Sequence, residues 1–203
     1  MTQESAVMHI EPVVLKGLHI RLEPLSVSHH RSLCEAGLDP ELWKLAMNRI
    51  RDPADMMAYI QTALKWQEEG TALPFVIVEN VSGEIIGSTR YGNIDRSNRK
   101  LEIGWTWIAL KWQRTVVNTE MKYLLLMHAF EVFRCIRVEF KTDMLNQRSR
   151  DALLRIGARE EGILRNHMIA HDGRIRHSVY YSITDSEWED VKRGLEKKLG
   201  SRG

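Results

Sequence analysis

The 203-residue chain is short of cysteine, of unbroken apolar sequence and of excess charge, and each shortage removes a class of protein. Its two cysteines, Cys34 and Cys135, lie far apart with no second pair beside them, which excludes a disulfide scaffold and a zinc ribbon. The densest apolar run, Leu124 to Phe130, is much shorter than the ~20 residues that span a bilayer, so no membrane partner is expected. The acidic start Met1-Thr2-Gln3-Glu4-Ser5 leads into no apolar block; with no secretory signal, the expected compartment is cytoplasmic. Lys and Arg number 29 against 27 Asp and Glu, and a formal charge of +2 is too balanced for a protein whose main partner is nucleic acid or an anionic membrane. Internal repeats, linkers and low-complexity tracts are also lacking.

What is present is ordinary globular composition, 43% hydrophobic and 28% charged, in a chain long enough to bury a sizeable core. The length implies one unit over residues 1–203, with 1–12 as a flexible N-terminal extension. Val13 to Leu25 alternates from Leu18 onward and reads as one opening strand. Helices are expected over 28–37 and 53–69, the second opened by Asp52-Pro53 and ended by Gly70. Strands follow over 73–79, 84–94 and 100–110, joined by turns at Val81-Ser82-Gly83 and Asp95-Arg96-Ser97-Asn98. A strongly apolar helix over 117–133 carries Met121, Leu124, Leu125, His128 and Val132 on one stripe. Beyond it come a strand over 136–142, a helix over 146–156 stopped by Gly157, two strands joined at Asp172-Gly173, and a last helix over 185–199. An antiparallel meander followed by a strand-helix-strand crossover is a mixed α/β sheet, not a doubly wound parallel one.

Chemistry concentrates between Glu102 and Glu120. A strand that feeds a short loop and the N-terminus of a buried helix makes an anion site, because unpaired amides and the positive end of the helix dipole converge there. Arg114, Thr115, Asn118 and Thr119 add donors. A strand-to-helix loop with a polar cap accounts for the same residues without any ligand.

The string Glu102-Ile103-Gly104-Trp105, the helix start Gln113-Arg114-Thr115-Val116-Val117-Asn118-Thr119-Glu120, the opening Asn146-Gln147-Arg148-Ser149 and the stretch Gly157 to Gly162 together resemble the GNAT superfamily of acetyl-CoA-dependent N-acetyltransferases. The closest branch is RimJ/RimL-like, and the likeness extends from Leu15 to Leu199. It implies a GNAT-like, mostly antiparallel sheet splayed between its fourth and fifth strands, with flanking helices and the pantetheine arm of coenzyme A in the gap. It further implies that Trp107 and Ile108 offer backbone groups to pantetheine, that Gln113, Arg114, Thr115, Val116, Val117 and Asn118 hold the pyrophosphate with Thr119, and that Asn146 meets the cofactor arm. Trp107 as core and Asn146 as a helix N-cap are the ordinary structural accounts.

One departure stands out: Val116 and Asn118 occupy places where the family loop commonly has glycine. β-branched Val disfavours positive φ. Either the loop holds phosphate with negative-φ residues and side-chain donors, the reading preferred here for Arg114 and Thr115, or cofactor binding is weakened. The alternative function that follows is a catalytically silent acyl-CoA sensor or protein-interaction module.

On the fourth strand, alternation places Leu101, Ile103, Trp105 and Trp107 on one face and Glu102, Gly104, Thr106 and Ile108 on the other. Glu102 is then the carboxylate nearest the cleft, and in the resembled branch a glutamate here is a frequent candidate base. Where many relatives carry a tyrosine acid, this chain has Leu153; Ser149 or a water is the substitute. An α-amine has a reference pKa of about 8 and a lysine about 10.4, so neutralising lysine costs about 3 kcal/mol more at neutral pH. The expected acceptor is therefore a protein N-terminus or a small amino-acid-like amine. Trp43 and Trp66 are expected on the acceptor side, and the family pattern is compatible with a homodimer.

Metal binding is not expected: His167, His171 and His177 fall on strands where positions four apart lie about 13 Å from each other. Arg96, Arg99 and Lys100, and the string Arg148, Arg150, Arg155 and Arg159, have no stacking aromatics between them and read as solvated faces, not as a nucleic-acid surface.

Overall fold

The computed structural model describes residues 8–200. Its sheet runs β1 (Leu15–Lys16), β2 (Ile20–Pro24), β3 (Leu73–Glu79), β4 (Ile85–Asp95), β5 (Lys100–Ile108), β6 (Arg137–Asp143), β8 (Ile175–Thr184) and β7 (Arg159–Ile169), in that spatial order. Neighbours are antiparallel except β5 and β6. The helices are α1 (His30–Gly37), α2 (Pro53–Glu68), α3 (Val117–Met127), α4 (Gln147–Arg155) and α5 (Asp185–Gly200). Two cores lie on opposite faces. Leu101, Ile103, Val138 and Phe140 pack with α3 and α5 on one; Val76, Val78 and Trp107 pack with α1 and α2 on the other.

Local chemistry explains most boundaries. Asp52 caps α2 by accepting from the Asp55 amide at 2.9 Å, with Pro53 first in the helix. Gly173, at φ +82°, turns the β7–β8 hairpin, and Asp172 accepts from the Arg174 amide at 3.0 Å. The opening segment is two strands, not the one expected, because the Gly17 amide bonds back to the Ile20 carbonyl at 2.9 Å and reverses the chain. This raises the strand count by one, so the expected fourth and fifth strands are β5 and β6. Of the expected N-terminal extension, residues 1–7 lie outside the described residues, while Met8 is 2% exposed within the core.

The helix expected over 117–133 is α3 followed by a π-helical turn, His128–Val132. A π turn adds a residue and rotates the following face by about 100°. Val132, expected on the buried stripe, is therefore 61% exposed, while Ala129, Phe130 and Phe133 face inward.

Simple alternation also fails on β5. Arg90 pairs with Gly104 and Ser88 with Trp107, so β5 holds one extra residue between them. Trp105 carries this bulge at φ +50°. Downstream the faces exchange: Trp107 joins Trp43 and Tyr59 in the α1–α2 core, whereas Ile108 joins the α3 core with Leu101 and Ile103. The sharing of one face by Trp107 and Leu101 is overturned by that single residue.

Candidate active site

β5 and β6 are parallel partners over three rungs only, Lys100↔Arg137, Leu101↔Val138 and Glu102↔Glu139. β5 then continues to Ile108 and β6 to Asp143 without pairing. Apart from the Ile108 carbonyl, which accepts from Gln113 Nε2, the backbone groups on their facing edges are left for another partner. This fork is the expected splay, with Glu102 at its base. The N-terminus of α3 follows from one arm and the N-terminus of α4 from the other.

The loop from β5 to α3 places its left-handed residue at Arg114, φ +63°, while Val116 sits at φ −67° as the helix N-cap. Valine therefore replaces glycine without strain. Gln113 Nε2 donates to the Ile108 carbonyl at 2.7 Å, and Thr115 Oγ1 donates to the Trp112 carbonyl at 2.7 Å. These two side chains build the loop. Thr115 Oγ1 also accepts from the Val117 amide at 3.3 Å. The amides of Arg114, Thr115, Val116, Asn118 and Thr119 find no carbonyl within the described chain. Val117 and Thr119 are buried, so only their backbones face the loop, whereas Arg114 is exposed. Unpaired amides at a positive helix end, beside an exposed guanidinium, fit a diphosphate.

Glu102 is 4% exposed and accepts from Asn93 Nδ2 at 2.8 Å; Lys141 Nζ lies 3.5 Å from the same oxygen. A Cβ on Gly104 would stand 2.9 Å from Glu102 Oε1, so the carboxylate lies directly over a glycine. On α3, Lys122 is 6% exposed, and its ammonium stands 5.1 Å from the centre of the Phe140 ring. Burial lowers its pKa to about 7, opposed by the charge of Glu102. Asn146 caps α4, accepting from the Ser149 amide at 3.1 Å. That joins two expected site residues, while the Ser149 hydroxyl makes no hydrogen bond among the described residues. They stand at the far end of the unpaired β6 segment, about 13 Å of strand from the Glu102 rung. Leu153 is buried in the α3 core and offers no hydroxyl.

The sequence pattern did not reveal how polar the rest of the Glu102 face is. Arg90 lies on it, among the rings of Tyr59, Trp66 and Trp105. Farther along, Asp143 is buried against Arg174 Nη2 at 2.6 Å and near Arg176, whose pKa burial lowers. Lys141 stands over Tyr180, and His167 packs against the same ring at 5.9 Å. Trp43 packs on Trp107 at 5.6 Å and donates to the Gly37 carbonyl at 2.8 Å, while His171, at the hairpin tip, meets the Trp43 carbonyl at 3.2 Å. The β7–β8 hairpin thus reaches across to the segment between α1 and α2 on the face that carries Glu102. One signal could have pointed here: Tyr59 and Trp66 are seven apart on one helix and share a face.

Residues 19–159 match the family described as acetyltransferase (GNAT) domain. A protein of Bacillus subtilis (strain 168), whose name assigns it provisionally as the ribosomal N-acetyltransferase YdaF, is 36% identical over 110 residues, covering 54% of this chain and 59% of its own length. The chain thus matches less than two thirds of that relative. Among solved structures, a GCN5-related N-acetyltransferase from Brucella melitensis superposes with a TM-score of 0.85 at 27% identity, covering 93% of this chain and 86% of that one. Mycobacterium smegmatis RimJ, in complex with CoA-disulfide, gives 0.76 at 23% identity over 92% of each chain, a likeness of fold.

Proposed function

The chain belongs to the GNAT acetyltransferases, and on that premise we propose that it is a RimJ/RimL-like member that moves an acetyl group from acetyl-CoA to the α-amine of a protein N-terminus or of a small amino-acid-like acceptor. The observation that carries this reading is the fork: pairing of β5 with β6 stops at Glu102, and the open arm of β5 leads on to a helix N-terminus with unpaired amides. Acetyl-CoA supplies an activated thioester when bound. The amides of residues 114–119 and the Arg114 guanidinium hold its diphosphate, the open edge of β5 at Ile108 meets the pantetheine arm while the backbone groups of the expected Trp107 are turned to Ser88 of β4, and Asn146 lies against the arm from the β6 side.

Glu102 takes a proton from the incoming ammonium, directly or through water, leaving the neutral nitrogen that attack requires. Asn93 fixes the carboxylate, leaving its second oxygen for the acceptor. Ser149, through water because its side chain is short, passes a proton to the leaving thiolate and is reprotonated by the acylated nitrogen, which sheds its remaining proton as the amide forms. A single carboxylate suits an α-amine, since a lysine would need about 3 kcal/mol more to lose its proton at neutral pH. A relative named for the ribosome supports a protein N-terminus as one acceptor. Among the described residues no helix is long and apolar enough to cross a membrane; the cytoplasmic setting we propose is supported by the relative named for the ribosome.

Thiol release from acetyl-CoA across a panel of amines and peptides tests the proposal. Turnover with α-amines exceeding that with lysine side chains is expected. Acetyl-CoA binding without turnover would move the chain to the sensor reading, and no binding at millimolar concentration by calorimetry would refute both.

A further inference from the structure

Arg90 is the bulkiest fully buried side chain in the described chain, 1% exposed, and nothing in the proposed chemistry uses it. It lies opposite Gly104, and Gly92 lies opposite Glu102, so Arg90 and Glu102 share a face as diagonal neighbours, their Cα atoms about 7–8 Å apart. Its guanidinium carbon stands 4.8 Å from the ring centre of Tyr59, 5.4 Å from that of Trp66 and 5.2 Å from that of Trp105. Three aromatic faces attract the cation and fix its plane. They satisfy none of its five N–H donors. No described carboxylate pairs with it, and its Nε is buried without a partner. Glu102, the nearest acid on the face, is already engaged by Asn93 and Lys141.

A buried arginine without a counter-ion is unfavourable in a resting fold, and buried charges are ordinarily paired. The backbone is also held out of its preferred region to build this surround. Trp105 adopts φ +50° at the bulge, and its ring lies against Gly92, where any side chain would collide with it. Strain of this kind concentrates at ligand sites. Trp66 and Trp105, whose rings meet at 5.5 Å, both keep part of their surface in solvent and so form the wall through which the guanidinium is reached.

We propose that Arg90 is the subsite for a carboxylate carried by the acceptor. A guanidinium held flat between rings presents its N–H edge for two parallel bonds to a planar carboxylate, the geometry that favours arginine over lysine. Arg90 and Glu102 rise from neighbouring rungs of one face, so an acceptor that presents its amine to Glu102 can present a nearby carboxylate to Arg90. The acceptor class is therefore an amine with a carboxylate a few bonds away. Two sources share that chemistry: the α-carboxylate of a free amino acid, and the side-chain carboxylate of an acidic residue at a peptide N-terminus. The inference rests on the acetyltransferase reading, whose acceptor it narrows.

Calorimetric titration with three product mimics tests it. N-acetylglycine offers an α-carboxylate, N-acetylaspartic acid α-amide a side-chain carboxylate, and N-acetylglycinamide neither. At least one carboxylate probe is expected to bind tenfold or more tightly than N-acetylglycinamide, and which one does identifies the source. In Arg90→Gln that ratio is expected to fall to about one with the melting temperature not lowered, because an unpaired buried charge has been removed. Arg90→Lys, which keeps the charge and loses the fork, is expected to retain a partial preference. Equal binding of all three probes, binding of none, or a preference that survives Arg90→Gln overturns the inference. Should amines with and without a carboxylate release thiol at the same kcat/KM, the subsite falls while the transferase stands; should no amine release thiol, the transferase reading falls and the titration alone decides the subsite.

Discussion

Asn93 donates its side-chain amide to Glu102 Oε2 across 2.8 Å, from a backbone at φ +47° that only the bulge in β4 makes available. The bond fixes which carboxylate oxygen is free for an acceptor, and it makes Asn93 a positioning residue for the base. Glu102→Gln is expected to lower kcat/KM by about 10²–10³-fold, the range typical of a lost general base. Asn93→Ala should cost less, and mainly in kcat, since the carboxylate remains but loses its fixed orientation. Steady-state thiol-release assays with saturating acetyl-CoA check both, and an unimpaired Glu102→Gln enzyme would remove the base from the scheme.

Arg114 combines two properties that can be separated. It is exposed beside the loop amides, and it holds a left-handed conformation that costs an ordinary residue about 1–2 kcal/mol. Arg114→Gly removes the cation but relaxes the backbone. We expect an unchanged or raised melting temperature together with a KM for acetyl-CoA raised about tenfold, in line with the loss of one charge-assisted phosphate contact. Titration of coenzyme A against the variant, at two salt concentrations, should also show a weaker salt dependence than in the unaltered chain.

Much of this fold was legible because its boundaries are written in residues with one physical meaning. Asp52-Pro53 can start a helix, Asp172-Gly173 can turn a hairpin, and a strand leading into a buried helix leaves amides exposed. The site was less legible for an equally physical reason. A bulge carried by glycine leaves a mark in the sequence, but here the extra residue is Trp105, which reads as one more apolar position in an alternating strand, and every face assignment beyond it reverses. Arg90, between Thr89 and Tyr91, reads as a solvent-facing charge until the rings of Tyr59 and Trp66 arrive from another helix. Lys122 likewise reads as a surface helix residue.

Glu120 does structural work within the same motif. It is buried, and its two oxygens accept from the backbone amides of Leu18, His19 and Ile20, tying the β1–β2 turn to α3. Gly17 is required beside it, since a Cβ there would stand 2.6 Å from Glu120 Oε1. Glutamine keeps one acceptor oxygen and turns a donor toward the amides. Glu120→Gln is therefore expected to destabilise the fold by about 3 kcal/mol, as charge-assisted bonds are lost and buried donors left unmet. Thermal unfolding should show a melting temperature lower by roughly 10 °C, while the KM for acetyl-CoA at 20 °C changes little.

Lys122 gives the fold a pH dependence of definite sign. Its pKa falls from 10.5 in the open chain to about 7 in the folded one, because burial disfavours the ammonium more than Glu102 favours it. Below pH 7 both states carry the proton, and the full penalty of a buried charge is present. Between about pH 7 and 10.5 the unfolded chain binds a proton that the folded chain does not, so this group makes stability rise with pH. Above 10.5 neither state binds it and the contribution is level. Lys122→Met removes the penalty at every pH, yet the penalty is largest where the lysine is charged in the fold. The variant should therefore melt well above the unaltered chain at pH 6.5, and the gap should narrow steadily toward pH 9.5. Thermal unfolding of both proteins across that range decides the matter, and a gap that stays constant would mean that Lys122 does not change its protonation on folding.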